Sequence, residues 1–551
     1  MLARYKLLIL LLPFTLILWP LILPGYFSHH DDLQVMRIFE MRKCLMDFQI
    51  PCRWVPDMGY GNGYPLFNYY SVFPYYVAAS ISFLLGYIGA AKVLFATPII
   101  LGGISIYFLA KELFGKEAAF VASILFSFAP YRALDIYVRG AIAESFAMAI
   151  IPLVFYFCIK LIRQKKLNYF IGLVVSLSAF LTSHNIMTIL FIPVFFVFII
   201  FFILQQKGKN ILLVLVAVIL GIGISSFFIF PAFLEKNLVQ IDNLIRLDLN
   251  FRAHFVTIRQ LFFDRFWGYG ASSPGIDDTI SFQIGWPHWW IALISILMSL
   301  INLVKRKNYL DKLAFLLSII FILSIFMTHS RAAFIWEKIE ILKFTQFPWR
   351  FLSITTFTTS LLGAYLVTLF KGRYKIIIPL IVVLIIMLNW SYFKPEKFYF
   401  DINDQQKLSG KLWEEQQKAA ILDYLPQGAG EPKEAASNLP KITSGKAEIT
   451  EFESKSNQWR VKVNVEDKAT IEIPVFDFPN WQVFINNQKV NHSNKNLIGR
   501  IAIDIEKGGS YIVAGRFENT TIRTISNIVT AVSLLGLLGF VFYEKTRKNI
   551  R

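Results

Sequence analysis

Charge is scarce in this chain: Asp, Glu, Lys and Arg make up 17% of 551 residues, against 55% hydrophobic residues and a mean hydropathy of +0.52. A soluble protein this apolar could not cover its surface with polar groups, so an ordinary soluble globule is excluded and a membrane protein remains. Cysteine is scarcer still. Three residues, Cys44, Cys52 and Cys158, make neither a disulfide framework nor a metal cluster. Cys158 lies in an apolar run and reads as a small buried hydrophobe. Cys44 and Cys52 share one loop, where a single disulfide is open to them but not dictated by spacing. The chain also lacks a repeat of solenoid length and the inverted repeat of transporters. Acidic residues are in the minority, giving a net charge of +18. In a soluble chain that balance would suggest a nucleic-acid partner. Here Lys and Arg fall in short runs between apolar segments, which is a topology signal and argues against nucleic acid.

Aromatic residues are plentiful at 16%, including 53 Phe, as lipid-facing helices and interfacial belts require. Tyr5–Pro24 has no small-residue cleavage site after it and reads as an uncleaved membrane helix. Further spans are expected at Lys92–Lys111, Ala118–Tyr131, Ala141–Ile162, Tyr169–Thr182, Ile186–Leu204, Ile211–Pro231, His288–Val304, Leu313–Thr328, Phe351–Phe370, Ile376–Tyr392 and Ile525–Tyr543. With the N-terminus inside, twelve spans put every basic cluster in the cytoplasm: Arg163–Lys166, Lys207 with Lys209, Lys305–Lys307, Lys371 with Arg373, and the tail from Lys545. Val72–Ile88 is apolar enough to cross, but counting it would invert that arrangement. It is therefore expected to be a re-entrant or interfacial helix within the first external loop.

The fold class that follows is an α-helical polytopic membrane protein of about twelve spans plus that re-entrant or interfacial helix, with a C-terminal extracytoplasmic β-sandwich. Residues 1–392 form the transmembrane domain, with a large first external loop at 26–91. Residues 393–523 form an extracytoplasmic domain, and 524–551 a last helix and basic cytoplasmic tail. From about residue 446 the strings "WRVKVNV", "TIEIPVF" and "IAIDI" alternate with period two, the pattern of short antiparallel strands.

The first external loop opens with His29-His30-Asp31-Asp32. Adjacent carboxylates there can take a proton from a hydroxyl or help hold a divalent cation; the plainer reading is a helix start, with Asp capping N–H groups. The same loop runs on through "GYGNGYPLFNYYSVFPYY", where Tyr64, Asn68 and their neighbours offer aromatic faces and amide donors to a sugar or lipid head group. An aromatic belt at the membrane surface is the alternative. Glu144 lies one turn into an apolar helix, where an ionisable group costs several kcal/mol unless it faces a wet cavity or a partner. Arg139, on the preceding turn, is the obvious structural partner. His184-Asn185 occupies a tight external turn. Gln346, Trp349 and Arg350 stand at the outer mouth of a helix, where Arg350 can clamp a phosphate and Trp349 face a lipid chain or sugar; interfacial snorkelling explains such pairs equally well. In the C-terminal domain, Trp459 and Trp481 are candidate glycan contacts, with Trp481 equally suited to the core. Rare charges at helix mouths on one side of the membrane argue for an outward-facing site.

These features resemble the GT-C superfamily of polyprenyl-phosphate-sugar-dependent glycosyltransferases. "HHDD" matches the acidic motif of their first external loop, "LAKELFGKEAAFVASILFSFAP" (Leu109–Pro130) their cytoplasmic turn and next helix, and "YVRGAIAES" (Tyr137–Ser145) the position of a second external acid. More closely, "YVRGAIAE", "LTSHN", "QFPWRF", "DYLP" (Asp423–Pro426) and "FPNWQVFINNQKV" (Phe478–Val490) resemble bacterial 6-pyruvoyl-tetrahydropterin-synthase-related membrane proteins and their YfhO-like relatives. No zinc-histidine pterin site is visible.

The resemblance implies a glycosyltransferase moving a sugar from a polyprenyl-phosphate donor to a glycan, lipid or teichoic-acid-type acceptor, with inversion. Asp31, Asp32 and Glu144 would be catalytic. His30, Tyr64, Asn68, Arg139, His184, Asn185, Gln346, Trp349 and Arg350 would bind substrate, and Mg2+ or Mn2+ would sit at Asp31 and Asp32 if a metal is used. Two other classes compete. A lipid-linked glycan flippase or transporter predicts charges at mid-membrane, and a non-catalytic envelope assembly factor predicts that the three acids are dispensable.

Overall fold

The computed structural model describes residues 13–205, 210–246, 249–275, 277–306, 308–371 and 376–549. Residues 5–12 of the first expected span, Lys207, Lys209, Lys307, Arg373 and the last two residues of the basic tail lie outside the described residues. Among the described residues, eight helices are long and apolar enough to cross a membrane, or nine if the bent pair Lys116–Ser127 and Pro130–Val138 counts as one. Three shorter apolar helices, Pro13–Ile22, Leu167–Leu181 and Ile377–Tyr392, coincide with expected spans but are too short to cross as described. Among the described residues, length alone thus accounts for eight or nine of the expected twelve crossings.

Two departures shape the end of the bundle beneath the first loop. The helix at Lys116–Ser127 bends by 47° and continues to Val138, because Pro130 cannot continue its hydrogen-bond ladder. The stretch Arg132–Gly140, between the expected spans Ala118–Tyr131 and Ala141–Ile162 and so expected as a short external turn, is instead helical as far as Val138, ending in a π-turn at Leu134–Val138. The segment expected to be re-entrant or interfacial forms the first part of a helix, Phe73–Phe114, that breaks at Gly86 (φ 71°). The carboxylate of Asp404 accepts the N–H groups of Tyr87 and Ile88 at 2.7 and 2.8 Å and so caps the second part, the membrane span. A Cβ on Gly86 would collide with that carboxylate.

Helices Ile142–Arg163 and Pro348–Leu369 are the most enclosed, with 78% and 89% of their apolar stretches buried, against 11% for the last helix, Thr521–Arg547. The bundle is thus built around the two helices whose N-terminal ends carry Glu144 and Arg350. The first loop folds over that end. It begins with β1 (Tyr26–Phe27), paired antiparallel with β2 (Phe398–Tyr399), and continues as the helix Gln34–Met46. Cys44 and Cys52 are joined as a disulfide at the far end of that helix.

The C-terminal domain is a single connected antiparallel sheet of six strands: β3 (Lys441–Ser454), β4 (Gln458–Phe476), β5 (Trp481–Ile485), β6 (Gln488–Val490), β7 (Arg500–Ile505) and β8 (Gly509–Phe517). The long β4 pairs with β8 along its first half and with β7 along its second, so one strand joins what would otherwise be two sheets. Trp459, Val461, Val463, Val465, Ile471 and Ile473 alternate into one core. Trp459 and Trp481 are both buried in it, so neither is an exposed glycan contact. A buried ion pair between Arg523, at the head of the last helix, and Glu235 (2.8 Å) ties this domain to the bundle; Asn68 of the first loop donates to the same carboxylate at 3.2 Å.

Candidate active site

Glu144 occupies the first turn of its helix and is 1% exposed. An unpaired carboxylate there would be prohibitively costly, and three donors meet it. The Tyr131 hydroxyl donates to Oε1, and Oε2 takes Arg139 Nη1 at 3.1 Å and Arg350 Nε at 3.3 Å. Arg139 also pairs with Asp135 from the π-turn and lies 4.4 Å over the Trp349 ring. Arg350 donates from Nη1 to the Thr345 carbonyl (2.7 Å) and to Gln346 Oε1 (3.0 Å). Nη2 of each arginine makes no hydrogen bond among the described residues, and both side chains line a cavity of about 580 Å³.

The second half of the site comes from the first loop. The N–H groups of His30 and Asp31 donate to the carbonyls of Val138 and Arg139, both at 2.9 Å, so the acidic motif is stitched to the turn carrying Arg139. Gly140 makes this approach feasible: its φ is 67°, and any Cβ there would strike the His29 ring. Asp31 Oδ2 accepts Arg37 Nη1 at 2.6 Å and Gln34 Nε2 at 3.2 Å. Gln34 also donates to the Gly140 carbonyl at 2.9 Å, and Arg37 lies 4.3 Å over the Tyr70 ring. Neither aspartate caps the helix that follows, whose N-cap is Leu33 with no side-chain bond.

The cavity gathers His30, Asp31, Arg139, Glu144, His184, Asn185, Gln346, Trp349 and Arg350, nine residues drawn from four separate stretches of the sequence. His184 Nδ1 accepts the Met187 N–H at 3.1 Å, which leaves the proton of the neutral ring on Nε2. Burial pulls the His184 pKa down to about 3; Glu144 opposes the shift, and Arg350 and Arg139 add to it. His184 is thus a neutral donor at physiological pH. His30 donates from Nε2 to the Tyr269 carbonyl (2.8 Å), and the Asn185 amide to the Tyr69 carbonyl (2.9 Å). Trp349 is stacked against Phe347 and Phe282, so its ring faces serve packing as well as the cavity wall.

Three expected residues lie elsewhere. Asp32 is 43% exposed at its side chain and pairs with Lys407, in the segment between the bundle and the β-sheet, at 2.5 Å. Tyr64 is buried, donating to the Ala420 carbonyl at 2.6 Å. Asn68 is held between Arg53 (3.1 Å) and Glu235 (3.2 Å). Each is spent on holding chain segments together, which is why a loop rich in Asn and Tyr misleads as a list of sugar contacts. Sequence reasoning in turn missed Gln34, Arg37, Tyr70 and Asp423, which support or line the cavity. The available signals were the aromatic run that holds Tyr70 and the family-like string "DYLP" that holds Asp423; Gln34 and Arg37 lie in a mixed, charged helix that singles neither out.

A divalent cation held by the two aspartates does not fit this donor set. Asp31 and Asp32 face different partners, and each carries a cationic side chain where a metal would bind. Among the described residues no three His, Cys, Asp or Glu side chains converge as metal ligands.

The helical bundle with its C-terminal β-sheet domain defines a multi-pass membrane protein, and residues 67–395 match the family model of the 6-pyruvoyl-tetrahydropterin synthase related domain, a membrane protein. The chain belongs to that family. It is 24% identical over 209 residues to an uncharacterised protein of Lactococcus lactis subsp. cremoris (strain MG1363), covering 35% of this chain and about a third (34%) of that protein. Among solved structures it is similar to the arabinofuranosyltransferase AftD from Mycobacteria (TM-score 0.48, 13% identity, 73% of this chain and 28% of that one). It is also similar to the apo oligosaccharyltransferase of Archaeoglobus fulgidus (0.44, 14%, 78% and 61%). A third is ArnT from Cupriavidus metallidurans bound to undecaprenyl phosphate (0.31, 13%, 66% and 78%).

Proposed function

We propose that this protein is a glycosyltransferase that moves a sugar from a polyprenyl-phosphate-linked donor to a cell-envelope acceptor on the outer face of the membrane, with inversion. The observation that carries this reading is the pairing of Arg139 and Arg350. One carboxylate, Glu144, fixes both guanidinium groups from behind, leaving an Nη2 on each for a ligand in the cavity. Two planar forks held at fixed orientation suit a phosphate, each charge-assisted bond contributing about 1.5–3 kcal/mol. Ile186 and Ile189 make part of the cavity wall apolar, where a lipid chain can lie. The Cys44–Cys52 disulfide suits an oxidising compartment outside the cytoplasm.

Asp31 stands against the turn bearing Arg139, so an acceptor hydroxyl bonded to its carboxylate would sit beside the donor phosphate. Its oxygen would attack the anomeric carbon from the side away from the phosphate. The lipid phosphate is the leaving group, and the arginines stabilise the charge that collects on it. His184 Nε2–H supplies a further neutral donor. Glu144 acts on the arginines rather than on the sugar, and glycan, lipid and teichoic-acid-type acceptors all carry the required hydroxyl.

The test is sugar transfer by membranes containing the protein, supplied with radiolabelled polyprenyl-phosphate sugars and a cell-envelope acceptor fraction. Wild type should incorporate label, and Asp31→Asn, which no longer orients the acceptor hydroxyl, should lose about 10²-fold or more. Undiminished transfer in Asp31→Asn would remove Asp31 from the chemistry.

A further inference from the structure

One wall of the cavity is supplied by neither the bundle nor the first loop. Between the helix Gly410–Lys418 and the β-sheet, the chain returns over the site as a 3₁₀ turn, Ile421–Asp423, and Asp423 and Tyr424 line the cavity. Tyr64 grips this turn at both ends: its hydroxyl donates to the Ala420 carbonyl and accepts the Tyr424 N–H, each at 2.6 Å. Ala420 is left-handed (φ 56°), which turns the chain sharply into the site. From the other side, the Asn243 amide donates to the Leu422 carbonyl (3.2 Å) and the Gln240 N–H to the Leu425 carbonyl (2.9 Å). The turn is thus fixed from two directions, yet among the described residues the Asp423 carboxylate accepts no hydrogen bond. A carboxylate so firmly delivered, and left unengaged, is placed for a ligand.

Its charged neighbours are Arg37 and Asp31 of the first loop, with the Tyr64 and Tyr424 hydroxyl groups beside it. Asp31 and Asp423 therefore share the field of one guanidinium, but unequally. Asp31 holds Arg37 directly at 2.6 Å, while Asp423 has no donor on it.

We propose that Asp423 is a second catalytic carboxylate, taking the proton of the acceptor hydroxyl that Asp31 orients. This rests on the transferase reading above. The acceptor oxygen forms its bond to the anomeric carbon, and the carbon–oxygen bond to phosphate breaks with its electron pair left on the lipid phosphate between Arg139 and Arg350. The hydroxyl proton passes to Asp423 and from there to water before the next turnover. Burial supports the assignment, lifting the Asp423 pKa to about 6; Arg37 opposes the rise and Asp31 adds to it. A base of that strength takes a proton more readily than an ordinary aspartate and is still ionised at neutral pH. The site is then incomplete without the extracytoplasmic segment.

The experiment is the pH dependence of transfer between pH 4.5 and 8.5 for wild type, Asp423→Asn and Asp423→Glu. The probes are radiolabelled undecaprenyl-phosphate glucose, galactose, mannose and N-acetylglucosamine, with undecaprenyl-phosphate binding as the check on folding. Wild-type transfer should rise about tenfold per pH unit at low pH and level off near 6. Asp423→Asn should bind undecaprenyl phosphate normally, lose transfer about 10²-fold or more and show no inflection, while Asp423→Glu restores it. A loss in Asp423→Asn that keeps the inflection assigns the residue a structural role and overturns the proposal, as does full activity. Collapse in Asp31→Asn with none in Asp423→Asn refutes this proposal alone. Wild type inert towards every donor refutes the transferase reading and this proposal with it.

Discussion

Replacing Glu144 by Gln removes one negative charge from a buried cluster holding two arginines at 3.1 and 3.3 Å. At an effective dielectric of about 20, each attraction is worth about 5 kcal/mol before desolvation is counted. Breaking a buried pair from one side costs about 3–5 kcal/mol net, because the remaining charge is stranded. Arg139 keeps Asp135 and Arg350 keeps its bonds to Thr345 and Gln346, so the cost should lie near about 3 kcal/mol. Thermal unfolding in nanodiscs, with and without polyprenyl phosphate, reads this directly. The variant should melt several degrees lower, and the lipid phosphate should recover more of that loss than it adds to wild type, since its oxygens take the place of the missing carboxylate. Unchanged melting together with abolished transfer would refute the reasoning: Glu144 would then act on the substrate and not on the arginines.

Three further substitutions separate roles that proximity in sequence blurs. Asp32→Asn takes the carboxylate from Lys407, whose side chain is buried, and should destabilise by about 3 kcal/mol while transfer by the folded protein stays within a few-fold of wild type; a collapse of transfer would return Asp32 to the site. Gly140→Ala forces a side chain into the His29 ring and should shift the acidic motif away from Arg139, lowering transfer and melting temperature together; unchanged melting would contradict the close approach. Cys44→Ser opens a loop of sequence separation 8 and should destabilise by about 2–3 kcal/mol in the loop-entropy account, with Cys52 becoming reactive to thiol reagents after unfolding only in the variant.

Much of the site was legible in the sequence because intramembrane charge is rare and expensive. Glu144 and Arg350, at the outer ends of apolar helices, had to be either paired or functional, and they meet across 206 residues. The acidic motif was legible for the same reason, but its two aspartates were not separable: Asp31 faces the cavity and Asp32 faces Lys407, a partner 375 residues away. Tyr64 and Asn68 sat in a stretch whose composition suits a sugar, yet their hydrogen bonds go to Ala420 and Glu235, contacts that only the tertiary fold supplies. Asp423 lay in a polar stretch without periodicity; the family-like string "DYLP" marked its position but no local feature gave it a role. Within the membrane, apolar runs marked where helices lie but not how long they are, and the bend after Ser127 turned an expected loop into helix. In the C-terminal domain, alternation revealed the strands; that β4 serves two sets of partners depends on pairing, which alternation does not encode.

The decisive measurement uses purified protein in nanodiscs with a radiolabelled polyprenyl-phosphate sugar and acceptor, following the lipid and the sugar separately. The account predicts one polyprenyl phosphate released for each acceptor glycosylated, abolished in Asp31→Asn and strongly reduced when Arg350 is replaced by Met. Movement of the intact lipid-linked sugar between leaflets, without cleavage, would contradict it and make the cavity a transport site.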